Sequence, residues 1–428
     1  MLMDNRIGHK VFELETLDSK KFFCNPQSGR WVFADFMNER VLNKIAPSCR
    51  SESYEGISLV LLNVSRKCNF ECTYCLIGDL KQEETVMSYE VGKKAIERVM
   101  EIQEEDRYVI FHGSEPMTNF ALIKRLILYS EKQSYNIRFS MQSNGSLFNK
   151  SNLDFLIHKK VYIGISLDGM REHQNKSRPY VGGIPSYNDV IRSVRLVKEN
   201  QGGIGVISVV TKDNVKYLRE IASHFEKEGI DTVFFCPVSP GNKDIAPQEK
   251  ELIASMLKVF DRYFHAILNG EKTIEIENVR RYLINFIPKD SPSNCSQCSI
   301  GSKYPLVGID VNGDIYPCDY FWGNKNYLLG NIFTQSLASV VNQPNDFRTY
   351  RNVNIISGCS TCNWRRFCGG GCPGALVLKR KYIGSKSSYC AFNKTMLKYI
   401  VERIPVLHKK GLISQIVRRN PHFPLKQL

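Results

Sequence analysis

From Ser58 to about Val238 the chain alternates two kinds of apolar pattern. Short runs rich in β-branched and aromatic residues read as strands at Ser58–Val64, Arg107–Gly113, Asn136–Gln142, Val161–Ser166, Ile204–Val210 and Thr232–Val238. Between them apolar residues recur at helical spacing near Ser88–Gln103, Asn119–Lys132, Asn152–His158, Ser186–Glu199 and Asn214–Glu228. Repeated strand-then-helix units predict a parallel α/β sheet, and right-handed crossovers curl such a sheet toward a barrel. Six strands are too few to close it. Ahead of this region, runs at Lys10–Leu14, Lys21–Cys24 and Trp31–Phe33, a Pro26–Gly29 turn and a helical Asn38–Ile45 predict a hairpin followed by a helix. Beyond a polar break at Pro288–Asn294 the periodicity gives way to loops and cysteines. The expected division is therefore 1–55, 56–287 and 288–428.

Composition narrows the setting. The 428 residues suffice for two or three domains, no apolar run is long enough to span a bilayer, and Met1–Arg6 carries no signal-peptide pattern, so a cytoplasmic location off the membrane is expected. Fourteen cysteines without an export signal argue against a disulfide framework and for metal. Cys24, Cys49 and Cys236 lie outside the cysteine motifs. The formal charge of +15 suits an acidic partner, and ligated thiolates would lower it without reversing its sign. Its clearest concentration, His408–Lys410 and Arg418-Arg419 through Lys426, reads as a solvated surface.

The candidate chemistry begins directly after the first barrel strand. Cys68, Cys72 and Cys75 form C-x3-C-x2-C in one loop, a spacing that can hold three irons of a [4Fe-4S] cluster and leave the fourth open. Three free thiols, or part of a zinc site completed from elsewhere, are the alternatives. His112-Gly113-Ser114-Glu115-Pro116 ends the second strand, Ser143-Asn144-Gly145 the third, and Ser166-Leu167-Asp168-Gly169 the fourth. Cys236 ends the sixth, where it either packs or points into the barrel mouth as a hydrogen-atom donor or substrate-side thiol. In the last third stand Cys295, Cys298 and Cys318, then Cys359, Cys362, Cys368, Cys372 and Cys390. Taken alone, their C-x2-C pairs also fit interleaved zinc sites, and a zinc-binding nucleic-acid protein is the reading from another class. No stripe of interleaved basic and aromatic residues supports nucleic acid, so none is expected as a partner.

The C-x3-C-x2-C loop resembles that of the radical S-adenosylmethionine (SAM) superfamily, and the C-terminal cysteine pattern, with Gly313 five residues before Cys318, is similar to the SPASM domain of peptide- and protein-modifying members. The resemblance implies a partial (β/α)6 barrel with its chemistry at the C-terminal strand ends. It implies that Cys68, Cys72 and Cys75 hold the catalytic cluster, whose open iron binds the amino and carboxylate groups of S-adenosylmethionine. The His112–Pro116 turn is similar to the family's G-G-E-P motif, with Ser114 in place of its second glycine, so Gly113, Ser114 and Glu115 are expected at the cofactor's amino group. Asn144, Ser166 and Asp168 are expected at the cofactor, and Arg178 at its carboxylate. Two auxiliary [4Fe-4S] clusters follow: Cys295, Cys298, Cys318 and Cys372 for the first, Cys359, Cys362, Cys368 and Cys390 for the second. By likeness to sulfatase-maturing members, Asp319 is a candidate base. The implied activity is oxidative crosslinking, carbon–sulfur or carbon–carbon, of a ribosomally made peptide by a 5′-deoxyadenosyl radical, with sulfatase maturation to formylglycine as the alternative. A flavodoxin- or ferredoxin-type protein would supply the electron. The N-terminal hairpin is expected to cap the barrel or to recognise a peptide.

Overall fold

The computed structural model describes residues 2–4, 10–35, 44, 59–78, 84–102, 107–200, 202–238, 244–286, 306–343, 350–378 and 382–418. Cys49, Cys295, Cys298, the Pro288–Asn294 break, Arg419 to Lys426 and all but Lys44 of the Asn38–Ile45 helix lie outside the described residues.

At the N-terminus β1 (Leu2–Asp4), β2 (Lys10–Glu15), β3 (Lys21–Cys24) and β4 (Trp31–Ala34) make an antiparallel sheet in chain order. The expected hairpin is its β2–β3 pair, and the third run supplies β4. Alternation along β3 divides its side chains: Phe22 enters the main core, while Phe23 packs with Val11 in a small cluster of its own. Phe22 meets Trp31, Phe33, Phe286, Trp364 and Phe367 at centroid distances of 5.6 to 6.4 Å. The N-terminal sheet is thereby seated on the segment that carries Cys362 and Cys368.

The centre of the molecule is a ten-stranded sheet. Its β5 (Leu59–Ser65), β6 (Arg107–Gly113), β7 (Ile137–Ser143), β8 (Tyr162–Ser166), β9 (Ile204–Val210) and β10 (Thr232–Pro237) are parallel neighbours in chain order. These six correspond to the six strands expected, with ends shifted by at most one residue. In β9, Ile204, Val206, Ser208 and Val210 are buried and alternate with half-buried Gly205, Ile207 and Val209. The buried set packs with helix residues and the other set lines the barrel interior, as the period of two requires. Helices at Tyr89–Met100, Phe120–Lys132, Lys150–His158, Tyr187–Glu199 and Leu218–Lys227 cover the outer face. Local chemistry starts two of them. Ser88 accepts from Val91 N, and Asn149 and Asn152 form a reciprocal capping box.

The rest of the sheet was not foreseen. On one side β11 (Glu275–Ile276) joins β10, after a helix at Glu249–Leu268 whose buried Leu252, Met256, Val259, Phe260, Tyr263, Phe264 and Ile267 form a helical stripe. On the other, β12 (Leu306–Ile309) pairs parallel with β5 and continues into antiparallel β13 (Asp314–Tyr316) and β14 (Gly330–Asn331). The sheet therefore runs across the division expected at residue 288. β5 has a partner on each side and is buried along its whole length.

Replacing Phe22 by Ala removes the ring shared by these aromatic contacts. The loss is expected to cost ~3–5 kcal/mol by the usual large-to-small penalty. Urea unfolding of anaerobic protein would measure it, and an unchanged midpoint would refute the seating role given to Phe22.

Candidate active site at the barrel mouth

The loop after β5 has no regular structure, so its shape is set by what holds its backbone. Glu71 N donates to Pro179 O at 2.8 Å, Thr73 N to Ser177 O at 3.0 Å and Val181 N to Asn69 O at 3.1 Å, lacing residues 69–73 to 177–181. Cys68, Cys72 and Cys75 are reduced and half-buried. Around them are groups that favour negative charge: Phe70 N donates to Cys68 Sγ at 3.4 Å, Asn144 Nδ2 lies 3.9 Å from the same sulfur, and the Arg178 charge acts on Cys72.

Glu115 is fully buried and turned toward the protein. Its Oε1 accepts from Met117 N at 2.9 Å and Ser143 Oγ at 2.8 Å, and its Oε2 from Asn144 N at 2.7 Å. Burial raises the pKa of this carboxyl, and the three donors work against that rise. The carboxylate therefore ties the end of β6 to the end of β7. The buried atoms without a partner at this turn are instead Ser114 Oγ, His112 Nδ1 and, from β5, Asn63 Oδ1. Gly113 is required here: its φ is +127°, and a Cβ would stand 2.1 Å from Asn63 Oδ1.

Asp168 is also fully buried. Its Oδ2 accepts from the Tyr74 hydroxyl and from Ser177 Oγ at 2.5 Å, and its Oδ1 from Val209 N at 3.0 Å. Arg178 Nη1 donates to the Tyr74 oxygen at 2.7 Å. Burial opposes the charge on Arg178, but Cys72, Tyr74 and Asp168 outweigh it and hold the guanidinium firmly protonated. Burial likewise pushes the Tyr74 phenol far up, so it stays a donor. Asp168 and Arg178, expected at a ligand, are thus joined through Tyr74, while Arg178 Nε remains buried without a partner. Ser166 accepts from Gln142 Nε2 at 3.0 Å on the half-buried, interior face of the barrel.

The remaining cysteines gather in two places. Burial and then Cys359, Cys390 and Cys362 raise the pKa of the half-buried Cys368 to about 12; burial and then Cys362 and Cys390 raise Cys359. Cys362 and Cys390 act on both Cys359 and Cys368, so the four thiols stand close to one another. Cys318 and Cys372 act together on the phenol of Tyr320. Asp319 and Cys236 act on the same phenol, which brings both catalytic candidates to one place. A cavity of about 190 Å³ lies there, lined by Cys236, Arg281, Tyr320, Cys368, Cys372 and Tyr389 among others. Burial pushes the Cys236 thiol up to about 11, with Asp319 adding to the rise and Arg281 opposing it.

The sequence reading passed over Arg281 and Tyr74. Arg280 and Arg281 are neighbours of one charge and both pair with Glu277, at 2.6 and 3.1 Å, but Arg280 is buried, whereas Arg281 lies 4.0 Å over the Phe234 ring and lines the cavity with Cys236. Tyr74 sits inside the cysteine motif itself, a position that marked it as a neighbour of the site.

The donors fit iron–sulfur clusters: reduced thiols, a cation beside Cys72, N–H groups on Cys68, and four thiols around a second centre. Among the described residues no group of three or more His, Cys, Asp or Glu is placed to hold a single metal ion. The mouth, with buried unpartnered polar atoms and a glycine-only turn, fits a polar cofactor.

Comparison with known proteins agrees. Residues 62–225 match the Radical SAM superfamily, and residues 303–363 match SPASM, an iron-sulfur cluster-binding domain. These matches replace the zinc reading. The chain is 25% identical over 371 residues to a cysteine-type anaerobic sulfatase-maturating enzyme of Clostridium perfringens, covering 81% of this chain and 97% of that one. It is 23% identical over 384 residues to the radical SAM cyclopropyl synthase TigE of Paramaledivibacter caminithermalis, covering 83% and 76%. The solved structure of native anSMEcpe with bound AdoMet and Cp18Cys peptide has a TM-score of 0.71 at 23% identity, covering 83% of this chain and 99% of that one. No described helix is long and apolar enough to cross a membrane.

Two outcomes are expected. In protein stripped of iron, alkylation of Cys236 by iodoacetamide, followed by peptide mass spectrometry, should be slow at neutral pH and rise toward pH 11 as the thiol ionises. Cys368→Ala should lower iron content while sparing the cluster held by the 68–75 loop, which its S-adenosylmethionine-responsive electron paramagnetic resonance signal would report.

Proposed function

We propose, for this radical SAM enzyme with a SPASM domain, a two-electron oxidation of a cysteine or serine side chain in a peptide or protein substrate, with Asp319 as the base. The family and the fold make it an enzyme that acts on a peptide or protein residue, with S-adenosylmethionine and [4Fe-4S] clusters as its cofactors. In the proposed assignment Cys68, Cys72 and Cys75 hold the catalytic cluster. Cys359, Cys362, Cys368 and Cys390 hold one auxiliary cluster, and Cys318 and Cys372 belong to the other together with Cys295 and Cys298. When bound, the first cluster and its cofactor supply a strong hydrogen-atom abstractor.

The chain's own residues supply the rest. Gly113 opens the mouth to close backbone approach, and the Asp168–Tyr74–Arg178 chain fixes the wall beneath the loop. Arg281, seated on Phe234, offers its charge to the substrate beside Cys236. The carrying observation is Asp319: half-buried, next to Cys318, and acting electrostatically on Cys236 and Tyr320 at the cavity. A carboxylate at that place can take the proton released from a substrate thiol or hydroxyl as its carbon is oxidised. An auxiliary cluster held by the C-terminal cysteines would supply an acceptor for the electron that leaves the substrate. A flavodoxin- or ferredoxin-type donor is proposed to reduce the first cluster, and the chain's basic charge suits the acidic surface of such a partner.

Likeness to the sulfatase-maturating enzyme over most of both chains supports formylglycine formation. Peptide crosslinking, the first reading of the sequence, keeps support from the likeness to TigE, a peptide-modifying relative of a different activity.

The test is mass spectrometry of a sulfatase-type cysteine peptide after anaerobic turnover. Wild type should yield the aldehyde, and Asp319→Asn, which keeps shape but not basicity, should lose ~10²-fold or more in rate while still cleaving S-adenosylmethionine. Absence of aldehyde from wild type would turn the reading to crosslinking. Cys68, Cys72 and Cys75 replaced together by Ala should abolish 5′-deoxyadenosine formation, and its retention would refute the cluster assignment.

A further inference from the structure

At the end of β12 stands Asp310, a carboxylate with no solvent exposure and no part in the chemistry above. The parallel register sets Ile309 opposite Leu62, so the next residues along, Asp310 and Asn63, meet where the cluster loop begins. Asp310 Oδ1 accepts from Asn63 Nδ2 at 2.7 Å and from Val311 N at 2.8 Å. Its Oδ2 accepts from Arg66 Nη2 at 2.6 Å.

Each partner leads to one arm of the cofactor site. Arg66 is buried and stands two residues before Cys68. Asn63, 0% exposed, holds its Oδ1 against Gly113 so closely that no side chain fits between them. One carboxylate from the C-terminal module thereby reaches both the loop that carries the three thiols and the turn that carries Gly113 to Glu115. Burying an ion pair is a poor way to gain stability, since apolar side chains would join β5 to β12 at least as well. What a buried, hydrogen-bonded pair adds is fixed direction: it allows one arrangement of the two arms and penalises others.

We infer that Asp310 is a positioning residue through which the SPASM module sets the geometry of the radical SAM cluster loop and of the cofactor-facing turn. The inference rests on the binding of S-adenosylmethionine and is independent of which side-chain oxidation follows. Asp310 touches neither thiol nor cofactor and acts through Arg66 and Asn63.

The experiment uses the full, anaerobically reconstituted chain as wild type, Asp310→Asn and Asn63→Ala. Iron content, melting temperature, equilibrium binding of labelled S-adenosylmethionine and the electron paramagnetic resonance spectrum of the reduced protein with and without S-adenosylmethionine are measured. Asp310→Asn, keeping full iron, should bind S-adenosylmethionine about 10-fold more weakly and lose much of the spectral change that it induces. Asp310→Glu, which keeps the charge, should recover part of both. Asn63→Ala leaves the Arg66 pair intact and should move the same readouts less far, and it decides the matter if Asp310→Asn does not fold. Wild-type affinity and spectra in an iron-replete variant of either residue would overturn the inference, as would a lower melting temperature with binding unaffected.

Discussion

The structure depends on one strand being held from both sides. β5 is the first strand of the barrel and the last stop before the cysteine loop, and it hydrogen-bonds to β6 on one edge and to β12 on the other. Every residue of the strand is also buried, and together these give a fixed origin for the loop that leaves its C-terminal end. A loop anchored only by its own turns would sample many shapes. Here the anchoring strand has no free edge, and backbone bonds to residues 177–181 hold the loop's far side. The C-terminal module thus participates in the barrel as a structural member.

Buried carboxylates do most of the positioning at the mouth. Glu115, Asp168 and Asp310 are each sealed from solvent, and each has both oxygens occupied by donors from other strands or loops. Low dielectric makes such bonds strong and makes any missing donor costly, so the strand ends are held in register by polar contacts that an apolar core could not direct. The mouth can then leave Ser114 Oγ, His112 Nδ1 and Arg178 Nε unpartnered without losing its shape.

Much of this was legible in the sequence. β6 and β9 fall on their expected bounds because each is a β-branched run closed by polar residues, a local signal. The thiol motifs were legible because ligand spacing is short-range. The union of β12 with β5 was not, since Leu306–Ile309 is a brief apolar run whose partner lies far back in the chain. For the same reason Asp310 reads as part of an Asp-Val-Asn-Gly turn, and nothing local reveals Asn63 and Arg66 across from it. Glu115 and Arg178 stand out in the sequence through their motifs, but the groups that hold them, on Ser143, Asn144 and Tyr74, lie at the end of another strand or in the cysteine loop and carry no local signal of that pairing.

The four-thiol set bears on how the protein is made. Three of its members lie within ten residues, Cys359 to Cys368, while Cys390 opens the long helix Cys390–Val401 much later in the chain. During synthesis the set is incomplete until that helix has emerged from the ribosome, by which time the barrel is already free to fold. A cluster held by these four thiols could be completed only after Cys390 has been made. A chain truncated before Cys390 would present three clustered thiols with no means of closing the site.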